Sequence, residues 1–212
     1  MGFYLLENEN PNATLRENSK KGYYYPRRSR DIQGIVVHTA EGGKEALGIA
    51  KYFAKTDTPT SAHVVADDKQ IINLLPDDYT AFHIRGSNSN SLGLELGYFA
   101  SDWGTDKEYE DALIAMAAKW CAEKVELYNI TPRRLTREDW LAGKSGFISP
   151  AELDPTRESV PGMNFPWEQF FTLIKGKAYR KAKRQAPKWQ GKVFYLEAPF
   201  MSGADIEQWQ DA

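Results

Sequence analysis

Four side chains of this chain have the chemistry of a reactive site. They are His38, His63, His83 and Glu95. His38 closes the apolar run Ile35-Val36-Val37, at the end of a strand, where a side chain can reach into a cleft. An imidazole there can ligate a metal or carry a proton, although a lone histidine in that place is more often a hydrogen-bonded structural group. Glu95 stands among Leu92, Leu94 and Leu96. A carboxylate so placed lies either on a solvated face or in a cleft that raises its pKa and readies it for proton transfer. His63 alternates with Val64 and can face the open side of a hairpin, and the place of His83 is not set by local pattern. The single cysteine, Cys121, excludes an internal disulfide and any multi-cysteine zinc site.

These residues need elements to hold them. The continuous run at 35–37 predicts a strand over 32–39 that is buried on both faces and central in a sheet. Ala46, Ile49, Ala50 and Phe53 share one face of a helix predicted over 45–55. Residues 62–66 and 70–75 read as a hairpin about the turn Asp67-Asp68-Lys69. A short extended piece follows at 79–84, a loop at 87–91 and a strand at 92–98 that sets Glu95 opposite its leucines. Leu113, Ala117, Trp120, Cys121 and Val125 form one stripe of a long helix over 106–128, which makes Cys121 a small core residue. Five prolines between 132 and 166 suggest an irregular segment, closed by a helix from Trp167 to about Lys183. Strands alternating with helices imply an α/β fold, a mixed central β-sheet flanked by helices.

The chain has 212 residues, 42% hydrophobic and 26% charged, which excludes wholesale disorder. A net charge of -2 argues against a nucleic-acid partner. No apolar run approaches the roughly 20 residues of a membrane helix, so no membrane partner is expected. The N-terminus shows no basic n-region followed by an apolar stretch, so no signal peptide is expected. Between Gln169 and Leu196 there are lysines and arginines but no acidic residue, which reads as a solvated helix face and linker in preference to a contact with an anionic polymer or acidic partner surface. Residues 1–30 read as an extended arm, 31–175 as the principal domain and 176–212 as a basic helix end, linker and tail.

The order of short motifs is more specific than any one of them. Ile35-Val36-Val37-His38-Thr39 is followed by Ser61-Ala62-His63-Val64-Val65, then Ala81-Phe82-His83, then Asn88 and Ser91-Leu92-Gly93-Leu94-Glu95-Leu96. Later come Gly146-Phe147-Ile148-Ser149-Pro150, Glu158-Ser159-Val160-Pro161-Gly162 and Phe165-Pro166-Trp167. This series resembles the type-2 N-acetylmuramoyl-L-alanine amidases, which share a fold with peptidoglycan-recognition proteins. The actinobacterial and phage lysin-like members are the most similar. The resemblance spans about residues 30 to 175. It implies a zinc ion on two His and one Asp or Cys, with a Glu assisting proton transfer, and hydrolysis between N-acetylmuramic acid and L-alanine.

Carried onto this chain, the resemblance makes His38 the first zinc ligand and Glu95 the catalytic glutamate. It sets His83 and Asn88 beside the substrate. The second zinc histidine falls on Pro150 and the acidic ligand on Val160, neither of which has a donor. Glu158 stands where some members carry a lysine for the oxyanion, and no histidine follows His83. The expectation is therefore a catalytically degenerate amidase fold with no cofactor, His38 being the lone remaining metal ligand and Glu95 vestigial. Its expected partners are peptidoglycan or phage structural proteins, and its expected location a virion or host cytoplasm. The alternative is an active zinc amidase whose site is rebuilt from His38, His83 and Glu152 or Asp154. A third reading is an interaction protein without wall contact. Residues 198–210 resemble the opening of a peptidoglycan-binding repeat, as in phage lysins.

Overall fold

The computed structural model describes residues 24, 25, 27–55, 58–154, 156 and 160–176. Strand β1 (Tyr24–Tyr25) pairs antiparallel with β5 (Thr80–Ala81) as a small two-stranded ribbon. The main sheet has five strands: β2 (Gly34–Thr39), β3 (Val64–Ala66), β4 (Ile71–Asn73), β6 (Ser91–Leu96) and β7 (Gly146–Ile148). Their order across the sheet is β4-β3-β6-β2-β7. Only β3–β4 is antiparallel, so the sheet is mixed, as expected.

The central strands β2 and β6 are buried along their whole length. On one face Ile35, Val37, Leu92, Leu94, Leu96, Val64, Ala66 and Phe147 form the larger core with helices α2 (Lys107–Leu127) and α5 (Trp167–Lys175). Burying eight such side chains stabilises the domain by roughly 1.5–3 kcal/mol for each large aliphatic one, before the entropy of ordering the chain is set against it. Leu113, Ala117, Trp120 and Cys121 supply the stripe of α2, as their spacing predicts. Burial pushes the Cys121 thiol well above its ordinary pKa, which suits a core residue.

The opposite face is covered in two separate patches. Helix α1 (Ala46–Lys55) seals β3 and β4 with Ala46, Ile49, Ala50 and Phe53 against Val65 and Ile72. Asp67 ties the hairpin turn to this helix, accepting from Lys69 N and Gln70 N at 2.8 Å each and from Ala46 N at 2.8 Å. At the other side, Val36 and Ile148 pack with Ile84, Leu135 and Trp140. Between the two patches the sheet face carries polar residues.

The segment 129–166 departs from its expected irregularity. It holds helix α3 (Arg137–Leu141), the edge strand β7 and helix α4 (Pro150–Leu153). The three residues of β7 are too few to show a period, and their pairing partner is β2, far away in the chain. Gly34 and Gly146 meet there so closely that a Cβ on Gly34 would lie 2.0 Å from the Gly146 carbonyl oxygen. The closing helix ends at Lys175, with Gly176 extended, short of the expected end at about Lys183. The arm before Tyr24, residues 177–183 and the repeat-like tail lie outside the described residues.

Candidate active site

The polar floor between the two patches follows from strand register. In the parallel β2–β6 pair, His38 stands beside Glu95, and Val65 of β3 stands on the other side of Glu95. Alternation turns His38 and Glu95 away from the leucine face. His38 Nδ1 lies 3.9 Å from Glu95 Oε1, within ion-pair range but beyond a hydrogen bond. Both residues are buried.

His83 joins them from the loop after β5. Its Nδ1 is 3.1 Å from His38 Nε2, and the two rings meet edge to face. Its Nε2 is 3.2 Å from the hydroxyl of Ser91, a fully buried residue. Ser91 donates its one hydrogen to the Ser87 carbonyl at 2.5 Å, so the His83 Nε2–H must donate to Ser91 Oγ. In neutral rings, His83 Nδ1 then accepts from His38 Nε2–H, and His38 Nδ1 is turned toward Glu95. Sequence reasoning missed Ser91, whose only signal was its place at the head of the strand that carries Glu95.

The backbone of His83 is fixed by Asn88. Asn88 Oδ1 accepts from His83 N at 3.0 Å and from Ile84 N at 2.8 Å. That oxygen serves the loop, so what Asn88 contributes to the cleft is the placement of His83. His63, expected near an open side, is buried beneath the site. Its Nδ1 accepts from Gly93 N at 2.9 Å, and its Nε2 reaches the Tyr79 carbonyl at 3.1 Å. Burial lowers its pKa well below the usual value, and the nearby Arg28 charge adds to this, so His63 is a neutral structural ring.

The metal positions implied by resemblance do not assemble. The β2–β7 pairing ends at Val36–Ile148, and two residues further on the chain has turned into α4 at Pro150. Pro150 is the first residue of α4 and is buried. A capping box built by Ser149 and Glu152 starts that helix, with Ser149 N donating to Glu152 Oε2 at 2.9 Å. The other Glu152 oxygen accepts from Arg134 Nε at 2.8 Å. Asp154 Oδ1 accepts from Thr156 N and Oγ1. Val160 offers no donor atom, and Glu158 lies outside the described residues. His38 directs Nε2 at His83 and Nδ1 at Glu95, so these three do not converge on one point. Among the described residues, no group of three His, Cys, Asp or Glu side chains could hold a metal ion. The residues described do not fit a catalytic zinc, which needs three protein ligands and an open position.

Comparison with known proteins gives a consistent picture. The family described as N-acetylmuramoyl-L-alanine amidase matches residues 28–161. N-acetylmuramoyl-L-alanine amidase A of Achromobacter lyticus is 22% identical over 172 residues, covering 72% of this chain and 88% of that protein. N-acetylmuramoyl-L-alanine amidase CwlA of Bacillus subtilis (strain 168) is 27% identical over 115 residues, covering 52% of this chain and 42% of that protein. The crystal structure of the Staphylococcus aureus hydrolase AmiA in complex with its ligand superposes with a TM-score of 0.56 at 16% identity, covering 78% of this chain and 84% of that one. The match begins at the arm residue Arg28 and runs through His38, His83, Glu95 and Pro150, so it takes in the whole polar floor. The mixed sheet, the register that sets His38 beside Glu95 and this match together show that the chain belongs to the N-acetylmuramoyl-L-alanine amidase family.

Proposed function

We propose that this chain keeps the amidase fold and its peptidoglycan groove but not the metal chemistry, and that it binds cell wall without cutting it. The observation that carries this reading is Pro150. It is the second residue past β7, the strand paired with β2, and the first residue of a helix capped by Ser149 and Glu152. A proline cannot ligate, and the cap engages the nearby carboxylate in a structural task. His38, His83 and Ser91 then hold one another in a hydrogen-bonded chain, with Glu95 beside it. Polar groups fixed in this way can serve recognition of an amide- and hydroxyl-rich polymer. A place in a phage particle accords with the repeat-like sequence at 198–210.

The test is made on the full chain in three measurements: zinc content after dialysis against trace zinc, sedimentation with purified sacculi, and release of stem peptides. Binding to sacculi with no tightly held zinc and no peptide release supports the proposal. About one zinc per chain together with peptide release overturns it. A second reading, an active amidase with a rebuilt zinc site, draws on the proximity of His38, His83 and Glu95. It requires the His38–His83 contact of 3.1 Å to open so that both rings turn to one centre. Failure to bind sacculi, with no zinc, favours an interaction protein without wall contact.

A further inference from the structure

We propose that Arg28, at the end of the N-terminal arm, is a positioning residue for His83. Its guanidinium gathers carbonyls from two loops. Nε donates to the Asp77 carbonyl, and NH1 donates to the carbonyls of Asn88 and Ser89, each at 3.3 Å. The Asn88 held in this way is the residue whose Oδ1 fixes the His83 backbone. A second route runs beneath the ring. NH2 lies 2.5 Å from His63 Nε2, a packing contact and not a hydrogen bond, because His63 Nδ1 accepts from Gly93 N and its Nε2–H is left for the Tyr79 carbonyl. His83 rests on Gly93, where a Cβ would come within 2.7 Å of its ring. One arginine therefore borders both the loop that carries His83 and the support under its ring.

A planar fork with five donors suits carbonyls at separate places, and a lysine ammonium does not span them. The role is distinct from holding the fold in general. Arg28 makes these contacts on the polar floor, while the larger core lies across the sheet around Leu94 and Leu113. The inference does not depend on what the groove binds.

The test uses the full chain with Arg28→Lys and Arg28→Ala. Ring nitrogen signals report the tautomer of each histidine, and methyl signals of Leu94 and Leu113 report the core. The expected result is an unchanged core in both variants, with the His83 ring signals shifted from the single Nε2–H pattern toward a tautomer average. Guanidinium ion at sub-denaturing concentration should restore the pattern in Arg28→Ala, while sodium at equal ionic strength should not. If Arg28→Ala does not fold, Arg28→Lys decides by the same ring signals. Unaltered His83 signals in the folded variants overturn the proposal. So does a core that shifts along with the ring and is not restored by guanidinium.

Discussion

The imidazole of His83 lies against the backbone of Gly93. A Cβ built on Gly93 would stand 2.7 Å from His83 Cγ and 2.9 Å from its Nδ1. Glycine in a central strand usually weakens it, so this one has a packing reason. The empty side of Gly93 is where the ring sits.

Gly93→Ala should therefore destabilise the chain, although alanine is the better residue in most strands. The overpacking cost is about 1–3 kcal/mol, read from denaturant midpoints. The same substitution should move the ring signals of His83 and His38. A neutral or stabilising effect would show that the ring has room to yield.

Glu110 makes a prediction about acid stability. Burial by itself raises its pKa. The Tyr98 hydroxyl at 2.9 Å and the backbone N–H groups of Gly104, Asp106 and Thr105 outweigh burial, so the net shift is downward. A carboxylate lowered in the folded state stabilises above its unfolded pKa of about 4.3, and that stability is lost as pH falls through the folded value. Glu110→Gln should cost about 1.5–3 kcal/mol at neutral pH, the range for a hydrogen bond to a charged group. It should also flatten the decline of stability below the unfolded pKa. An acid limb equal to that of the unaltered protein would contradict the assignment.

Placing metal donors at residues 150 and 160 tests the proposed reading directly. The double variant Pro150→His, Val160→Asp should take up about one zinc per chain, the count for a closed set of protein ligands around one ion. Elemental analysis after dialysis reads the result. Absence of zinc in a folded double variant would mean that residue 150 does not face His38.

Glu152 should matter for stability and not for metal. Glu152→Ala removes half of the capping box and the partner of Arg134, at a cost of about 1 kcal/mol. Zinc content should be unaffected. Were the unaltered chain found to hold zinc, its loss from this variant would revive Glu152 as a ligand.

Much of the scaffold was legible because its signals are local. The run Ile35-Val36-Val37 marks a buried strand and the stripe through Leu113 and Cys121 marks α2, and both stand where pattern placed them. The site was legible only in its cast. That His38 and Glu95 are neighbours is a matter of parallel register between strands distant in the chain, which no local pattern encodes. Strand β7 escaped notice for the same reason. Arg28 was read only as part of an extended arm, because an arginine after Tyr23-Tyr24-Tyr25-Pro26 carries no sign that carbonyls await it. Burial draws its pKa down to about 10, against the pull of Asp77, yet it keeps its charge at neutral pH.

The strand order also bears on how the chain is made. Strand β2 is synthesised early, but both of its neighbours come late, β6 beginning at Ser91 and β7 at Gly146. During translation this apolar strand has both edges open until β6 emerges, and one edge open until β7 follows. Such an edge templates pairing with other chains. A nascent chain halted before Gly146 should therefore depend on chaperones and self-associate when released, whereas one extended past Lys175 should not. The price of a polar floor built on parallel strands is thus a period of vulnerability on the ribosome.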